Sequence, residues 1–333
     1  MIFLTWQNYR NQLAVSEPGE IHINFDYFYE PGLKLFFMIK TVAVIGAGTM
    51  GSGIAHVFAQ YGFTVNLVDV LPEKLDKALE TITKNLERQL SKGAISTGKK
   101  EETLQNIIAH GSLAAGVRAA ELVVEAATEN VDLKMKIFRE IDAAAAANCI
   151  LATNTSSISV TSIAAVTQRP GQVIGMHFMN PVPVMKLVEV INGYSTRPEV
   201  TKEIMDLSKK LDKFPCEVKD YPGFIANRIL MPMINEAIFA LYEGIAGVEA
   251  IDTIMKLGMA HPMGPLQLAD FIGLDVCYSI LKVLYDGFGN SKYAPCPLLT
   301  NMVNANYLGI KSGEGFYRYV KGSKDLVVSE RFM

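Results

Sequence analysis

The most informative stretch of this sequence is Thr41-Val-Ala-Val-Ile-Gly-Ala-Gly-Thr-Met-Gly51. Its first half, through Ile45, is a short apolar run that is typical of a strand buried on both faces. Three glycines follow at the spacing G-x-G-x-x-G, and an apolar helical pattern begins directly after them. A second strand-like run, 63–68, then stops at Asp69. This order of strand, glycines, helix, strand and acid predicts a dinucleotide-binding unit, although a glycine-rich turn that binds nothing is the simpler alternative.

Each residue of this motif has a separate predicted role. Gly46 permits the tight turn out of the strand, Gly48 leaves room for a pyrophosphate at the backbone, and Gly51 lets the helix pack close to the strand. The helix begins around Thr49 and Met50, where unpaired N–H groups and the positive end of the helix dipole favour phosphates.

Asp69 distinguishes between the two nicotinamide cofactors. It lies at the distance from the glycines where a carboxylate meets the adenosine ribose hydroxyls. Its charge would repel a 2′-phosphate, and no arginine flanks it. The sequence therefore predicts NAD rather than NADP.

The composition of the chain argues against several classes of protein. Its 333 residues suggest two domains, and 50% of them are hydrophobic, which is enough for a large core. The net charge of −3 argues against general attraction to nucleic acid or to a membrane surface. No stretch is long and apolar enough to span a bilayer. The four scattered cysteines form no CxxC motif, which predicts reduced thiols, no metal site and a cytoplasmic location.

The chain up to residue 220 predicts a doubly wound parallel sheet of the Rossmann type, because strand-like runs alternate with helical patterns. The later strand-like runs lie at about 107–110, 122–126 and 150–152. A helical hairpin, with helices at about 72–92 and 100–106, is inserted before the first of these. Ligands bind beyond the carboxyl ends of such strands, which directs attention to Glu129 and to the segment 154–157.

The first helix of the hairpin carries a row of positive charges. Two Glu–Lys pairs have the i,i+4 spacing of helix ion pairs, and they are Glu73–Lys77 and Glu80–Lys84. Arg88 and Lys92 continue the row without an acid four residues before them. An ordinary exposed helix explains this pattern, and so does a docking edge for a phosphorylated ligand.

His177 is the strongest candidate for acid–base chemistry. A bound nicotinamide needs a partner that moves a proton while the cofactor moves a hydride, and histidine is the usual choice. Of the five histidines, His177 lies at the end of a strand-like run, before an Asn-Pro turn. Glu189 follows within the next apolar run. If the two strands pair across the turn, the carboxylate and the imidazole can satisfy each other; otherwise Glu189 is an edge acid that faces solvent.

After a junction at 221–224 the pattern changes to helices only. They are expected at about 224–243, 248–257, 265–286 and 295–306, with a glycine-rich closing loop at 309–317. The first of these helices has apolar residues on nearly every face, so it is buried in a core or against a second subunit. The second interpretation predicts a homodimer.

These patterns divide the chain into four segments. Residues 1–37 show no clear periodicity and form an extension of uncertain order, which is either an appendage or a short structured segment. The remaining segments are an NAD-binding Rossmann-like domain at 38–220, an all-α substrate and dimerisation domain at 221–320, and a tail at 321–333.

Five motifs of the chain resemble the L-3-hydroxyacyl-CoA dehydrogenases, and most closely the short-chain bacterial members of that family. They are Gly46-Ala-Gly-Thr-Met-Gly51, Asn154-Thr-Ser-Ser157, His177-Phe-Met-Asn-Pro-Val-Pro-Val-Met-Lys-Leu-Val-Glu189, Pro222-Gly-Phe-Ile-Ala-Asn-Arg228 and His261-Pro-Met-Gly-Pro265. The resemblance covers about 38–319. It implies an enzyme that interconverts 3-hydroxyacyl-CoA and 3-oxoacyl-CoA, above all 3-hydroxybutyryl-CoA and acetoacetyl-CoA, with NAD as cofactor.

The resemblance also implies a role for each matched position. His177 would be the acid or base at the substrate 3-oxygen, and Glu189 its charged partner. Ser156 and Asn227 would hydrogen-bond the substrate. The residues that would contact NAD are Gly46, Gly48, Thr49, Met50, Gly51, Asp69, Glu129, Lys134, Ser156, Asn180 and Lys311. Arg88 and Lys92 fall where the family meets the phosphates of CoA.

Two other functions remain open. One is a beta-hydroxyacid dehydrogenase that acts on free acids, although that class relies on a lysine where this chain offers His177 and Glu189. The other is a nucleotide-binding structural protein, of the kind that the lens crystallin relatives of the family represent. The complete set of polar residues, which also includes Ser156 and Asn227, argues against the second, because a structural role does not require it.

Overall fold

The computed structural model of the protein describes residues 39–320, 322 and 325–333. The predicted extension at 1–37 therefore lies outside the described residues. The strands are β1 (Thr41–Ile45), β2 (Thr64–Val68), β3 (Ile107–His110), β4 (Leu122–Glu125), β5 (Ile150–Thr153), β6 (Val173–Phe178), β7 (Leu187–Asn192), β8 (Phe214–Lys219), β9 (Tyr317–Arg318) and β10 (Val327–Val328).

The helices are α1 (Thr49–Gln60), α2 (Pro72–Ser91), α3 (Thr97–Gln105), α4 (Leu113–Val117), α5 (Val131–Ala144), α6 (Val160–Ala164), α7 (Pro198–Lys210), α8 (Ala226–Tyr242), α9 (Val248–Thr253), α10 (Pro265–Ile272), α11 (Leu274–Phe288) and α12 (Pro297–Asn304). The predicted fold class is confirmed, since a largely parallel sheet with flanking helices precedes a helical region, to which only the two-residue strands β9 and β10 are added among the described residues. Among these described helices, none has the length and apolar composition to cross a membrane.

The first eight strands form one sheet in the order β3-β2-β1-β4-β5-β6-β7-β8. Strands β1 to β6 are parallel, whereas β7 turns back and pairs antiparallel to β6. Strand β8 is then parallel to β7. The parallel part brings the ends of β1, β2, β4, β5 and β6 to one edge, which is where ligands bind in sheets of this type.

The central strands of the sheet are buried on both faces, which explains their unbroken apolar runs, whereas the edge strands β3 and β8 are partly exposed. Alternate residues of β1 belong to different cores: Val42 and Val44 pack with α1, α2 and α7, whereas Ala43 and Ile45 pack with α5 and α6. A third core fills the space between helices α8 to α12. The helical region therefore has a hydrophobic interior of its own.

The turn from β1 into α1 needs glycine for steric reasons. Gly46 has a φ of +99°, and a Cβ there would lie 2.6 Å from the Cα of Ala127. A Cβ on Gly51 would lie only 1.7 Å from the carbonyl oxygen of Gly46. These contacts confirm the roles that the spacing predicted for the first and third glycines.

The predicted helical hairpin is present as α2 and α3. Its inner face buries Leu75, Ile82 and Leu86 in the core beside α1. The predicted ion pair of Glu80 with Lys84 forms. The predicted pair of Glu73 with Lys77 does not, because Lys77 has no carboxylate partner among the described residues.

The prediction of a single helix at 265–286 was wrong in one respect. The chain forms two helices there, α10 and α11, which meet at Gly273. The φ of Gly273 is +103°, a conformation that ends a helix and that residues with a side chain rarely adopt. Apolar residues recur at helical spacing on both sides of Gly273, so the sequence pattern did not indicate this break.

The predicted tail folds back onto the helical region in the part that the structure describes. Strand β10 pairs antiparallel to β9. Beyond it Ser329 is buried and donates to Glu314 at 2.7 Å, and the ring of Phe332 lies 5.7 Å from that of Phe316. The last residues thus close one side of the helical core.

Candidate active site

His177 and Glu189 form a close pair on adjacent strands. The antiparallel register of β6 and β7 places them directly opposite each other. Nδ1 of His177 lies 2.8 Å from Oε2 of Glu189, and both side chains are buried. The sequence condition for a His–Glu contact, pairing of the two strands across the turn, is therefore confirmed.

The contact fixes which ring nitrogen is available for chemistry. An ionised carboxylate only accepts hydrogen bonds, so Nδ1 of His177 must carry a proton and donate it to Glu189. In the neutral ring Nε2 is then an acceptor. Nε2 lies 3.1 Å from Oγ of Ser156, at the end of β5. The arrangement presents a proton acceptor beside a hydroxyl group.

Glu189 is also held by the helical region. Its Oε1 accepts hydrogen bonds from the backbone amides of Ile225 at 3.2 Å and Ala226 at 3.0 Å, at the beginning of α8. Burial by itself would raise the pKa of Glu189. The hydrogen bond from His177 and the two amides outweigh burial, so the pKa of Glu189 lies below its ordinary value and the carboxylate stays ionised near neutral pH.

Asn227 joins the same site from α8. Its side-chain nitrogen donates to the carbonyl oxygen of Ser156 at 3.2 Å. Phe224, just before the helix, has a φ of +50° and places its buried ring 6.0 Å from the ring of His177. The structure thus brings together all four residues that the sequence predicted to be catalytic.

The glycine-rich turn and Asp69 lie side by side and offer the groups that a dinucleotide requires. A Cβ at Gly48 would meet no described atom within 4 Å, so the backbone there is open to a ligand. Asp69 accepts from the amide of Ala47 at 2.9 Å and from that of Leu71 at 3.1 Å, which fixes it at the end of β2 beside the turn. The amides at the start of α1 suit a diphosphate, and the carboxylate suits ribose hydroxyls.

Glu129 lies beside Ser156. Its Oε1 accepts from the hydroxyl of Thr155 at 3.0 Å and from the amide of Ser156 at 2.6 Å. Lys134, which the resemblance placed against NAD, is 1% exposed and lies beneath it. Its ammonium is 2.5 Å from Glu125 and 3.6 Å from Glu129. Contact of Lys134 with a cofactor stays a prediction.

Two buried groups near the site carried no sequence signal. Glu125, at the end of β4, accepts from Thr153 as well as from Lys134. Lys213 donates to the carbonyl oxygens of Val182 at 2.6 Å and Met185 at 2.8 Å. It thereby clamps the turn that carries Asn180.

Three predicted ligand-binding residues lie apart from the His–Glu pair. The ammonium of Lys311 contacts Asp275 at the beginning of α11, within the helical region. Arg88 and Lys92 lie at the end of α2 on the hairpin. The described contacts of these residues do not reach the four catalytic candidates, and their roles stay predictions.

Comparison with known proteins identifies the same family over most of the described residues. The family model for the 3-hydroxyacyl-CoA dehydrogenase NAD binding domain matches residues 41–221, and that for the 3-hydroxyacyl-CoA dehydrogenase C-terminal domain matches residues 223–319. The probable 3-hydroxybutyryl-CoA dehydrogenase of Bacillus subtilis is 53% identical over 285 residues, which cover 84% of this chain and 98% of that protein.

Two further similar proteins carry the same enzyme name. The 3-hydroxybutyryl-CoA dehydrogenase of Bradyrhizobium diazoefficiens is 51% identical over 287 residues, covering 86% of this chain and 97% of the relative. The crystal structure of (S)-3-hydroxybutyryl-CoA dehydrogenase from Ralstonia eutropha matches with a TM-score of 0.83 and 48% identity, covering 85% of this chain and 100% of that one.

Proposed function

Because this chain belongs to the 3-hydroxyacyl-CoA dehydrogenase family, we propose that it is an NAD-dependent enzyme that interconverts 3-hydroxybutyryl-CoA and acetoacetyl-CoA. The observation that carries the proposal is the 2.8 Å contact of His177 with Glu189 beside an open glycine-rich cleft. The short acyl chain is supported by the names of the relatives from Bacillus, Bradyrhizobium and Ralstonia.

The chain's own residues account for the proton in this reaction. When bound, NAD supplies the nicotinamide ring that accepts the hydride from C3 of the substrate in oxidation. Nε2 of His177 takes the proton of the 3-hydroxyl group in oxidation and returns it in reduction. Glu189 holds Nδ1 and stabilises the imidazolium that forms. The hydroxyl of Ser156 and the side chain of Asn227 hold the substrate oxygen, whose developing negative charge the imidazolium also stabilises.

The remaining assignments belong to the same proposal. Residues 38–220 bind NAD and residues 221–320 contribute substrate contacts and the interface of a homodimer. Exposed apolar side chains of the helical region support the interface, and they include Ile254, Leu257, Met259 and Phe271. The four cysteines, all free, support a cytoplasmic location. No nucleic acid or membrane partner is proposed.

Loss of NADH absorbance with acetoacetyl-CoA tests the proposal directly. We expect turnover by the wild type, and a fall of ~10²–10⁴-fold in kcat for His177→Gln, the scale of lost acid–base catalysis. His261→Gln, which changes a histidine outside the described site contacts, is the matched control. Oxidation of free 3-hydroxybutyrate in place of the thioester would instead indicate a beta-hydroxyacid dehydrogenase. NAD binding without any turnover would indicate a structural protein.

A further inference from the structure

A buried ion pair lies beside Glu129 and takes no direct part in the proton transfer. Nζ of Lys134, on α5, lies 2.5 Å from Oε2 of Glu125, at the end of β4. The exposed fractions of the two residues are 1% and 0%. Two apolar side chains of similar volume often stabilise a fold as well as a buried ion pair does, because both charges of the pair lose their hydration. Stability alone therefore does not account for this pair, and its other contacts indicate its role.

Glu125 uses both carboxylate oxygens to join several segments at the carboxyl edge of the sheet. Its Oε2 accepts from the hydroxyl of Thr153 at 2.9 Å, at the end of β5, as well as from Lys134. Its Oε1 accepts from the amide of Ala127 at 2.9 Å. The loop that contains Ala127 packs closely on Gly46 of the glycine-rich turn. One carboxylate therefore holds the end of β5, helix α5 and the loop after β4.

The first path from Glu125 to Ser156 passes through Lys134. The ammonium lies 3.6 Å from Oε2 of Glu129, and Oε1 of Glu129 accepts from the amide of Ser156 at 2.6 Å. Because Glu125 lies nearer to the ammonium, it holds that charge and leaves Glu129 to the amide. With a neutral side chain in place of Glu125, Glu129 would be the one carboxylate of the described residues left beside the ammonium. The ammonium would then be drawn toward Glu129 and would compete with the amide of Ser156.

The second path passes through hydroxyl groups. Oγ1 of Thr153 donates to Glu125 and accepts from the amide of Thr155 at 3.3 Å. The hydroxyl of Thr155 in turn donates to Glu129 at 3.0 Å. Both paths therefore end on the same short segment after β5, and both fix the backbone on either side of the Thr155–Ser156 peptide bond.

We propose that Glu125 is a positioning residue for Ser156. Its charge and its hydrogen bond with Thr153 fix the backbone from which Ser156 presents its hydroxyl, 3.1 Å from Nε2 of His177. The inference rests on the proposed function, in which Ser156 holds the substrate oxygen. Glu125 is fully buried, so it acts through Ser156 and not on the substrate.

A double-mutant cycle with Ser156→Ala tests this role. Thr153→Val removes the hydroxyl between Glu125 and the amide of Thr155 and leaves every charge in place. We expect kcat/KM for acetoacetyl-CoA at saturating NADH to fall about tenfold, the scale of a lost hydrogen bond to a charged group. In the Ser156→Ala background the same substitution should change kcat/KM by less than about twofold, because the residue through which it acts is already absent. Thr153→Ser keeps the hydroxyl and should restore most of the wild-type value.

Glu125→Gln removes the charge itself. Its loss of kcat/KM should exceed that of Thr153→Val, because the ammonium of Lys134 is also released, and it too should be small in the Ser156→Ala background. Thr201→Val on α7 is the matched control. Thr201 is 6% exposed and donates to Oδ1 of Asn192 at 2.8 Å, apart from the site. This control should lose stability but keep the wild-type kcat/KM.

Amide hydrogen exchange reports on the same backbone without reference to turnover. The amides of Thr155 and Ser156 should exchange faster in Thr153→Val and Glu125→Gln than in the wild type, and at the wild-type rate in Thr201→Val. If the wild type does not turn over acetoacetyl-CoA, the proposed function fails, whereas the exchange rates still decide whether Glu125 fixes this segment.

Three results would overturn the inference. One is an unchanged kcat/KM in Thr153→Val, or a loss that is equal with and without Ser156→Ala. Another is unchanged exchange of the two amides in Glu125→Gln. The third is a rise in KM for NADH alone, which would assign Glu125 to the dinucleotide.

Discussion

Glu189 connects two parts of the molecule through its two carboxylate oxygens. One oxygen contacts His177 and the other accepts the amides of Ile225 and Ala226. The position of α8 is therefore linked to the same carboxylate that orients the imidazole. Any movement of the helical region toward the sheet acts on the charged partner of the proposed acid–base residue.

The Glu189→Gln variant separates these two roles. The amide oxygen of glutamine can still accept both backbone amides, so the fold and the position of α8 are retained. Its other terminal atom is an NH₂ group, which cannot accept from Nδ1 of His177. We expect kcat to fall by about 10²-fold, and the thermal midpoint at neutral pH to fall as well, because Nδ1 of His177 loses its acceptor and the stabilisation by the ionised carboxylate is lost. Steady-state kinetics and thermal unfolding check this.

The same variant changes the acid stability of the protein. Because the pKa of Glu189 is lower in the folded protein than in the unfolded chain, the unfolded chain binds more protons at acidic pH. The stabilisation by the ionised carboxylate is present above its unfolded pKa and is lost as the pH falls through the folded value. The free energy of unfolding should thus fall more steeply on acidification in the wild type than in Glu189→Gln. An exposed acid, Glu140→Gln, is the control, and equal slopes would contradict the assignment.

Of the contacts that Glu189 makes, the sequence predicted the one with His177 but not the one with the beginning of α8. The twelve-residue separation and the intervening Asn-Pro turn indicated the hairpin that brings His177 and Glu189 together. The amides of Ile225 and Ala226 could not be predicted. They approach through Gly223 and Phe224, both with positive φ, and a non-glycine residue in that conformation leaves no local sequence signal.

Among the structural elements, the turn from β6 to β7 is held by a residue that is distant in the sequence. Lys213, just before β8, is 6% exposed and donates to two carbonyl oxygens of this turn. Val182 packs on α1, since a Cβ at Gly53 would lie 2.9 Å from it. The turn that carries Asn180 therefore packs against α1 on one side, and on the other side it is held by the buried ammonium group of Lys213.

Replacing Lys213 by Met leaves those two carbonyl oxygens without their donor. We expect the free energy of unfolding to fall by about 1–3 kcal/mol, the cost of unsatisfied buried polar groups. We also expect KM for NADH to rise, because the turn no longer holds Asn180 in place. Denaturant unfolding and steady-state kinetics measure the two effects.

Lys213→Arg keeps a charged donor and serves as the partial rescue. Lys186→Met is the second control, because Lys186 pairs with Asp212 at the surface beside the same turn. If Lys213→Met lost stability while KM for NADH stayed at the wild-type value, Lys213 would be a structural residue only.

A comparison of the predicted helices and strands with the observed ones shows where sequence patterns are sufficient to predict secondary structure. The first helix of the hairpin was predicted at about 72–92, where Glu80 and Lys84 recur at helical spacing, and it is present as α2. The break at Gly273 was missed because apolar periodicity continues on both sides of it. The fold of the last residues was also missed: β10 forms only by pairing with β9, and a short strand without its partner has no signal of its own.

In the whole molecule, the site lies where the sheet and the helical region meet. The sheet contributes His177, Glu189 and Ser156, and the helical region contributes Asn227 and the amides at the start of α8. The parallel strands could be predicted from their apolar runs, and the change to helices from the pattern after residue 224. The approach of one region to the other could not, because it depends on contacts between residues far apart in the chain.

The helical region leaves large apolar side chains exposed, and we expect them to pair two copies of the chain. The exposed fraction is 81% for Leu257 and 64% for Phe271, although the core of this region is complete without them. Light scattering after size exclusion should give twice the chain mass of 36.5 kDa. The double substitution Leu257→Asp with Phe271→Asp should shift the mass to that of one chain, because charge in an apolar interface is costly.

Tyr194→Asp is the control for this experiment, since Tyr194 is 93% exposed but lies in the sheet region. The monomeric variant should keep a kcat close to that of the wild type. All contacts described among His177, Glu189, Ser156 and Asn227 come from a single chain, so the proposed chemistry does not need the second copy. A wild type that elutes as a monomer at micromolar concentration would rule out the dimer, and a monomeric variant without turnover would show that the partner completes the site.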